Sequence, residues 1–403
     1  NWEATHCDFD EERLKELFNG ARQVGAELFL LDDGWFGNGL YSRDDDKHGL
    51  GDWEPSTKKL PRGLSYIAKE ALKRKVDFGI WLEPEMVNPQ SELYQKHPDW
   101  IITQPKRTPI LGRHQEILDL TRPEVQAFEW QVIDKTLRPN PDISYVKWDC
   151  NRYITQPGSG YLQPAEQSHL WIDYNWALYR LMERFSKEFP NVMAMLCAGG
   201  SGRVDYGALP YFHSFWPSDN TDPLGRIKIQ WGFSHFFPAS TISAHVTRMG
   251  KRHLKLAIDV ALSGAFGIDL ALDKATAEER VQIADAVKLY KASIRPLVMQ
   301  GELYRLVSPY EHPMASLSYV STDKNDAVVY LYQIQDGSVP QVILGGLDAR
   351  KNYRVEEVGL PKGSTSRFPG HGKIFSGAEL MSTGIANPLN AQFESAILLL
   401  KTQ

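Results

Sequence analysis

The sequence predicts a (β/α)8 TIM barrel followed by a small antiparallel all-β domain, and three observations predict it. Through about residue 300, short apolar runs that end in polar or acidic residues alternate with longer amphipathic stretches. Eight such runs can be counted, the number that closes a barrel. Beyond about residue 312 the helical period disappears and short alternating strands take over. At 403 residues the chain is too long for one domain of ordinary size, and a large barrel plus a smaller module fits that length. The expected division is a barrel over 1–312 and an antiparallel β-sandwich over 313–403.

The elements follow in order. "AELFLLDDGWF" is the first strand, and the helix before it carries Leu14, Leu17, Phe18 and Ala21 at the i, i+3, i+4, i+7 spacing of a buried face. "VDFGIWLEPEM" is the second, preceded by a helix from about Leu64 to Lys75. "EILDLTRPEV" is the third and "ISYVKWDCNR" the fourth. A helix through "LWIDYNWALYRLMERFSKEF" leads to "NVMAMLCAGGSGR", the fifth. "YFHSFWPSDNTD", "ASTISAHVT" and "SGAFGIDLAL" complete the eight. No GxGxxG follows the first strand, which argues against a dinucleotide fold. The tail reads "MASLSYVS", "AVVYLYQI", "VPQVILGG", "KNYRVEEV" and "ESAILLLK", with turn residues between and no strong helix signal.

Composition narrows the classes. Hydrophobic residues make up 42% and charged residues 24%, an ordinary soluble balance. A net charge of −5 without a Lys/Arg-rich run gives no support to nucleic-acid or anionic-membrane binding. Cys7, Cys150 and Cys197 lie too far apart to suggest a disulfide framework or a metal pattern, and the eleven histidines contain no HxxxH pair, so no metal and no cofactor are expected. No apolar run has the length of a membrane span. The start, "NWEATHCDF", lacks the basic-then-apolar order of an export signal. A cytoplasmic protein is favoured, with secretion the alternative if a signal has been removed. Eleven Trp and seventeen Tyr, many beside carboxylates, suit the apolar faces and hydroxyl edges of sugars, although large cores also bury Trp.

In a barrel, function collects at the C-terminal ends of the strands. Those ends carry Asp32 and Asp33, Glu83 and Glu85, Asp119, Asp149, Asp219 and Asp222, and Asp269. A single acid there is commonly a helix N-cap; six strand ends of eight call for more than capping. An acidic, aromatic-lined mouth fits a polyhydroxylated substrate or a developing cation. Glycoside hydrolysis needs that setting, with one ionised and one protonated carboxyl group. Asp149, in "YVKWDCNR", fits the ionised role, because Lys147 and Arg152 flank it and would favour its charge. Strand alternation puts Lys147 and Asp149 on one side and Trp148 on the other, toward the helices. A buried ion-pair network without chemistry is the competing reading. For the acid, Asp219, Asp222, Glu83 and Glu85 all stay open on this reading.

"NWEATHCDFD", "LDDGWFG", "LGDW", "WLEPEMV", "HPDW", "KWDCNR", "CAGGSGRVD" and "SDNTDPLGRIKIQWG" together resemble the barrel signatures of glycoside hydrolase family 36, the bacterial α-galactosidases. The resemblance runs from about Trp2 to Glu311. It implies a retaining mechanism with Asp149 as nucleophile and Asp219 as acid/base. It further implies Asp32 and Asp33 on the galactose 4- and 6-hydroxyls, bordered by Trp81, with Arg113 and Lys147 adding hydrogen bonds. Cys197, Gly199 and Gly200 would line the side nearest the 2-position, and Trp2 would stand near the rim. Taken alone, Gly199 and Gly200 could make a turn, Cys197 could be an inert thiol and Trp81 core packing. Asp222 reads as a cap or orienting group, His245 as a core histidine, and Glu83 and Glu85 as orienting other side chains.

The expected activity is that of a retaining exo-α-galactosidase on raffinose- or melibiose-type oligosaccharides. The rivals are an α-N-acetylgalactosaminidase or an α-galactosyltransferase of the same double-displacement chemistry, and, from another class, a non-catalytic carbohydrate-binding barrel. Ala198 and Ser201 stand where many relatives have serine and glycine, beside the 2-position, which leaves galactose against N-acetylgalactosamine open. The resemblance also implies a large β-sandwich domain ahead of the barrel, whereas this sequence starts at the barrel. The expectation is a chain lacking that domain, with assembly into a homo-oligomer left open.

Overall fold

The computed structural model describes residues 1–337 and 339–403, and the chain divides into two compact units: residues 1–216 with 271–273, and residues 217–270 with 274–403. In the first unit a helix, Glu11–Gln23, buries Leu14, Leu17, Phe18 and Ala21, the face its spacing predicts. Burying Leu- or Phe-sized side chains contributes about 1.5–3 kcal/mol each. Asp10 caps this helix by accepting from the Arg13 amide at 2.8 Å. The strands that follow are β1 (Leu28–Leu31), β2 (Asp77–Leu82), β3 (Met86–Val87), β4 (Glu116–Ile117), β5 (Ile143–Trp148), β6 (Met193–Leu196) and β7 (Ser214–Phe215). Five of them form a parallel sheet in the order β1-β2-β5-β6-β7. Helices Gly63–Lys73, Pro123–Leu137 and Leu170–Glu188 lead into β2, β5 and β6, giving the β/α alternation of the expected barrel.

One expected strand differs. The "EILDLTRPEV" run does not add a parallel rung, because β2 pairs directly with β5. Its β4 residues instead pair antiparallel with β3, Met86 opposite Ile117. The cause is local. Pro84, Pro89, Pro98, Pro105 and Pro109 interrupt the stretch after β2, which keeps only one short helix, Glu92–Lys96. That segment is given over to loops, and several of the site's side chains come from it.

In the second unit β8 (Ser243–Val246) and β9 (Ala265–Ile268) form a parallel pair, with helices Pro223–Phe233, Leu254–Ala261 and Ala277–Leu289 around them in sequence. The remaining strands are β10 (Glu302–Val307), β11 (Met314–Val320), β12 (Asp326–Gln333), β13 (Gln341–Val342), β14 (Asn352–Val358), β15 (Ile374–Ser376), β16 (Ile385–Ala386) and β17 (Ser395–Thr402). Six make an antiparallel sheet in the order β10-β11-β12-β17-β14-β15, and β13 pairs with β16. β10 lies ahead of the expected boundary at 312 and pairs with β11 as the sheet's first strand. A short helix, Gly377–Ser382, interrupts the all-β tail. The sheet buries Val329, Leu331, Val355, Leu398 and Leu400 on one face. From the other, the hydroxyls of Tyr319, Tyr330 and Tyr332 donate to the carbonyls of Ser263, Leu262 and Asp259 at 2.8, 2.8 and 3.1 Å. Those carbonyls sit where helix Leu254–Ala261 ends and lacks internal donors. Among the described residues no helix is long and apolar enough to cross a membrane.

Candidate active site

Asp149 follows the last residue of β5 and is buried. The strand's alternation puts Trp148 on the opposite face, as expected. The Trp148 ring packs edge-on against Phe185 of helix Leu170–Glu188, and its Nε1 donates to Glu85 at 3.1 Å. Asp149 Oδ2 accepts from Trp81 Nε1 at 2.9 Å and Oδ1 from the Cys150 amide at 2.8 Å. Burial alone would raise its pKa. The Lys147 charge and hydrogen bonds from Trp81, Asn151 and Cys197 outweigh that and hold the carboxyl below the usual aspartate value. Arg152, expected as a second cationic flank, turns away: it lies 3.5 Å from Glu116 and donates to the Tyr153 and Ile110 carbonyls. Four residues past the strand end, the backbone no longer keeps the side chain on the Asp149 face.

Lys147 makes its direct contact elsewhere, donating to Asp32 Oδ2 at 2.8 Å. Burial would lower its pKa, but Asp32, then Cys197 and Asp149, keep it well above the ordinary lysine value, so it is a cation and not a neutral amine. Asp33, the neighbour of Asp32 at the end of β1, is held by Arg43 through Nε at 2.9 Å and Nη2 at 2.6 Å, a bidentate pair with both side chains buried. Lys59 fastens the surrounding loops by donating to the carbonyls of Cys7, Gly34 and Arg43 at 2.8, 2.9 and 2.7 Å. Gly34 is required there: its φ is 109°, and a Cβ would come within 2.9 Å of the Cys7 Cα. The Asn1 side chain accepts from the Asp32 amide at 2.7 Å, so the short helix Trp2–Thr5 stands beside the end of β1, with the Trp2 ring edge-on to His6.

A fourth carboxyl group belongs to this cluster. Glu83 is fully buried; its Oε1 accepts from the Asn151 amide and its Oε2 from Gln115 Nε2 at 3.1 Å. Burial, with the Asp149 charge next, pushes its pKa up to about 8. The buried Gln115 Oε1 has no partner. Turned over, that amide would present its oxygen to the proton of a neutral Glu83. Arg113 feels Asp46, Glu83, Asp149 and Asp33, in that order, and these offset its desolvation. It occupies a tight turn closed by Gly112 and Gln115, whose amides and carbonyls pair at 3.3 and 2.9 Å. Arg113 and His114 both have left-handed φ, 51° and 60°. Each such residue costs on the order of 1–2 kcal/mol. With Glu83 neutral, the carboxylates of Asp32, Asp33 and Asp149 face three cations: Lys147, Arg43 and Arg113.

Asn151 carries the network to β6. Its Oδ1 accepts from the Gly199 amide at 3.1 Å, and Gly199 and Gly200 both have left-handed φ, 55° and 101°. Cys197, Met195 and Trp216 form a small buried cluster against Leu30 and Tyr145. In the second unit, Asp219 is exposed in the loop after β7. Asp222 stands at the N-cap position of helix Pro223–Phe233 but makes no capping bond; its Oδ1 accepts from Arg252 Nε at 3.3 Å. Gly250 gives it room, since a Cβ there would lie 2.2 Å from that oxygen. The half-buried His245 ring lies against Gly267 of β9. Among the described residues no three His, Cys, Asp or Glu side chains are grouped as a metal site would need.

The sequence pattern of the Melibiase family matches residues 1–301, and that of the glycosyl hydrolase family 36 C-terminal domain matches residues 314–400. The chain belongs to glycoside hydrolase family 36. It is 40% identical over 397 residues to alpha-galactosidase AgaA of Geobacillus stearothermophilus, covering 96% of this chain and 52% of that protein. It is 37% identical over 398 residues to alpha-galactosidase 1 of Pediococcus pentosaceus, with the same coverage of 96% and 52%. The crystal structure of AgaA matches with a TM-score of 0.91 at 39% identity, over 100% of this chain and 55% of that one. A variant of AgaA, matching at the same TM-score and 38% identity, was crystallised with raffinose. This chain therefore spans about half the length of the curated relatives it matches. The match carries the fold class, a (β/α)8 barrel followed by an antiparallel β-domain.

Within this family-36 chain, the first unit gathers Asp32, Asp33, Trp81, Arg113, Lys147, Asp149 and Cys197 into one hydrogen-bonded and electrostatic cluster. Trp81 is a donor to Asp149, a function its apolar surroundings in sequence did not suggest. Arg43 and Asn88 were missed: Arg43 sits in "YSRDDDK", which resembles a solvated charge run, and Asn88, directly after "WLEPEMV", is an uncharged residue followed by Pro89 that reads as a turn. Glu85 orients other side chains, as read, holding Trp148, Tyr174 and Arg203. Glu83 supports a testable expectation. The folded state holds a proton that the unfolded chain releases near 4.5, so stability falls as pH rises from there to about 8. Each pH unit in that window costs about 1.4 kcal/mol. Thermal unfolding of Glu83→Gln, which mimics the neutral acid, should show a shallower decline between pH 5 and 8 than the wild type. Parallel curves would show that Glu83 is ionised in the folded protein.

Proposed function

We propose that the protein is a retaining exo-acting α-galactosidase that releases terminal α-linked galactose from raffinose- or melibiose-type oligosaccharides. The observation that carries the reading is Asp149: a buried carboxylate held ionised by Lys147 and oriented by Trp81. Its relatives are named alpha-galactosidases, and crystal structures of AgaA variants hold raffinose and stachyose. In this reading Asp149 attacks the anomeric carbon and forms a galactosyl ester. Asp219 protonates the departing oxygen, then removes a proton from the water that cleaves the ester. Asp32 and Asp33 accept from the 4- and 6-hydroxyls and Trp81 borders the ring. Arg113 and Lys147 donate to further oxygens. Cys197, Gly199 and Gly200 line the side nearest the 2-position, and Trp2 stands near the rim.

Aryl α-galactoside and aryl N-acetyl-α-galactosaminide, assayed side by side, test the substrate class. Turnover of the first alone is expected, and preference for the second would overturn the galactose assignment. For Asp219, the expected signature is dependence on the leaving group. Asp219→Ala should lose about 10²–10⁴-fold on raffinose, whose leaving alkoxide needs a proton, and far less on a nitrophenyl galactoside. Equal losses on both would remove Asp219 from the acid role.

A further inference from the structure

We propose that Asn88 is a positioning residue that fixes the Arg113 guanidinium relative to Asp33, through hydrogen bonds reaching both sides of the sugar pocket. The inference rests on the reading that Asp33 and Arg113 hold the sugar. Asn88 directly follows β3 and is completely buried. Its Oδ1 accepts from Arg43 Nη1 at 3.1 Å and from the Leu50 amide at 2.9 Å. Its Nδ2 donates to the Asp46 carbonyl at 3.1 Å and the His114 carbonyl at 2.8 Å. One face of the amide meets only donors and the other only acceptors, so its orientation is determined and its full capacity of two donated and two accepted bonds is used.

The two arms lead to different functional groups. Through Oδ1, Asn88 holds Arg43, whose Nε and Nη2 grip both oxygens of Asp33. Through Nδ2, it holds His114, next to Arg113 in the Gly112–Gln115 turn. Two consecutive non-glycine residues with left-handed φ persist in a turn only when their surroundings over-determine them. The Asn88 bond to the second of them is such a restraint. Without it the turn can relax and carry the Arg113 head away, while Asp33 stays fixed on Arg43. No acid or aliphatic residue could serve: a carboxylate cannot donate to the two carbonyls, and an aliphatic side chain would leave buried groups without partners.

Asn88→Asp separates the arms. It keeps an acceptor toward Arg43 and Leu50 and places a second oxygen against the Asp46 and His114 carbonyls. The test is a double-mutant cycle on nitrophenyl α-galactoside with wild type, Arg113→Gln, Asn88→Asp and the double variant. Asn88→Asp should raise KM about tenfold or more with a smaller change in kcat, because a sugar-binding group is misplaced while the reacting carboxyls are untouched. Arg113→Gln should be costly in the wild type and cost less than about threefold in the Asn88→Asp background. Costs that multiply in full, or a wild-type KM in Asn88→Asp, overturn the proposal; circular dichroism and thermal unfolding check that each variant folds. If Asn88→Asp does not fold, the same cycle run with Asn88→Ser decides by the same criteria. A wild type inert on α-galactosides overturns the functional reading and this proposal together, whereas an active wild type with independent costs overturns the Asn88 role alone.

Discussion

Asp149→Ala is expected to lose at least about 10⁴-fold in turnover on every α-galactoside, a modest share of the acceleration enzymes commonly achieve. In the proposed mechanism the nucleophile splits one displacement into two, and without it neither half-reaction would have its carboxylate. Azide should partly restore the first step and give β-galactosyl azide, because a small anion can enter the space the side chain leaves and attack from the same face. Retained wild-type rates, or an azide product of α configuration, would sink the assignment. The pH profile supplies a second check. Lys147, Trp81, Asn151 and Cys197 hold the carboxyl below the ordinary aspartate value, so the acid limb set by Asp149 should lie below about pH 4. Lys147→Met removes the largest favourable charge and should move that limb upward. An acid limb that stays in place after this change would separate Lys147 from the ionisation of Asp149.

The second large effect is expected at Asp33, on stability and activity together. The family resemblance gave Asp32 and Asp33 equivalent parts, as contacts to the galactose 4- and 6-hydroxyls. The structure separates the two. Asp33 is gripped at both oxygens by Arg43, and both side chains are buried. Removing one partner of a buried ion pair leaves the other charge uncompensated, at about 3–5 kcal/mol. For a chain of this size that corresponds to a fall in Tm of about 4–6 degrees. Asp32 pairs with Lys147 at one oxygen while its other accepts from the Asp33 amide at 3.0 Å, and Lys147 keeps the nearby Asp149 charge. Asp32→Asn should therefore cost mainly kcat/KM and little Tm. Both should erode the distinction between galactosides and glucosides, since a wrongly placed 4-hydroxyl leaves a buried acceptor unsatisfied, at about 1–3 kcal/mol. Equal Tm losses for the two variants would contradict the asymmetry. Comparable wild-type rates on aryl α-glucosides would contradict the pocket assignment itself.

The fold class was legible because periodicity survives in the sequence. Leu14, Leu17, Phe18 and Ala21 line one helical face, and the alternation of "NYRVEEV" reappears in β14, where Tyr353, Val355 and Glu357 are buried. The β5 alternation that separates Lys147 and Asp149 from Trp148 was legible for the same reason. The third expected strand failed because an apolar run of a few residues cannot declare its partner. Pairing β4 with β3 is a choice between distant backbone edges. The β10 edge strand was hidden likewise, since its register with β11 spans a chain reversal that local pattern does not encode.

By itself, the sequence determined the family, the β/α order, the acidic strand ends and the carboxylate at the end of β5. Those are properties of residue type and local spacing. Only the tertiary structure decided which cation meets which acid. Lys147 went to Asp32, Arg43 to Asp33 and Arg152 to Glu116, although the sequence had placed Lys147 and Arg152 beside Asp149. The reason is physical. A buried charge is tolerable only with a partner in hydrogen-bonding geometry, and that geometry is set by strand ends and loops tens of residues apart, not by neighbours along the chain. The raised pKa of Glu83 and the four-way bonding of Asn88 arise in the same way, from burial that exists only once the loops after β2 have closed over them.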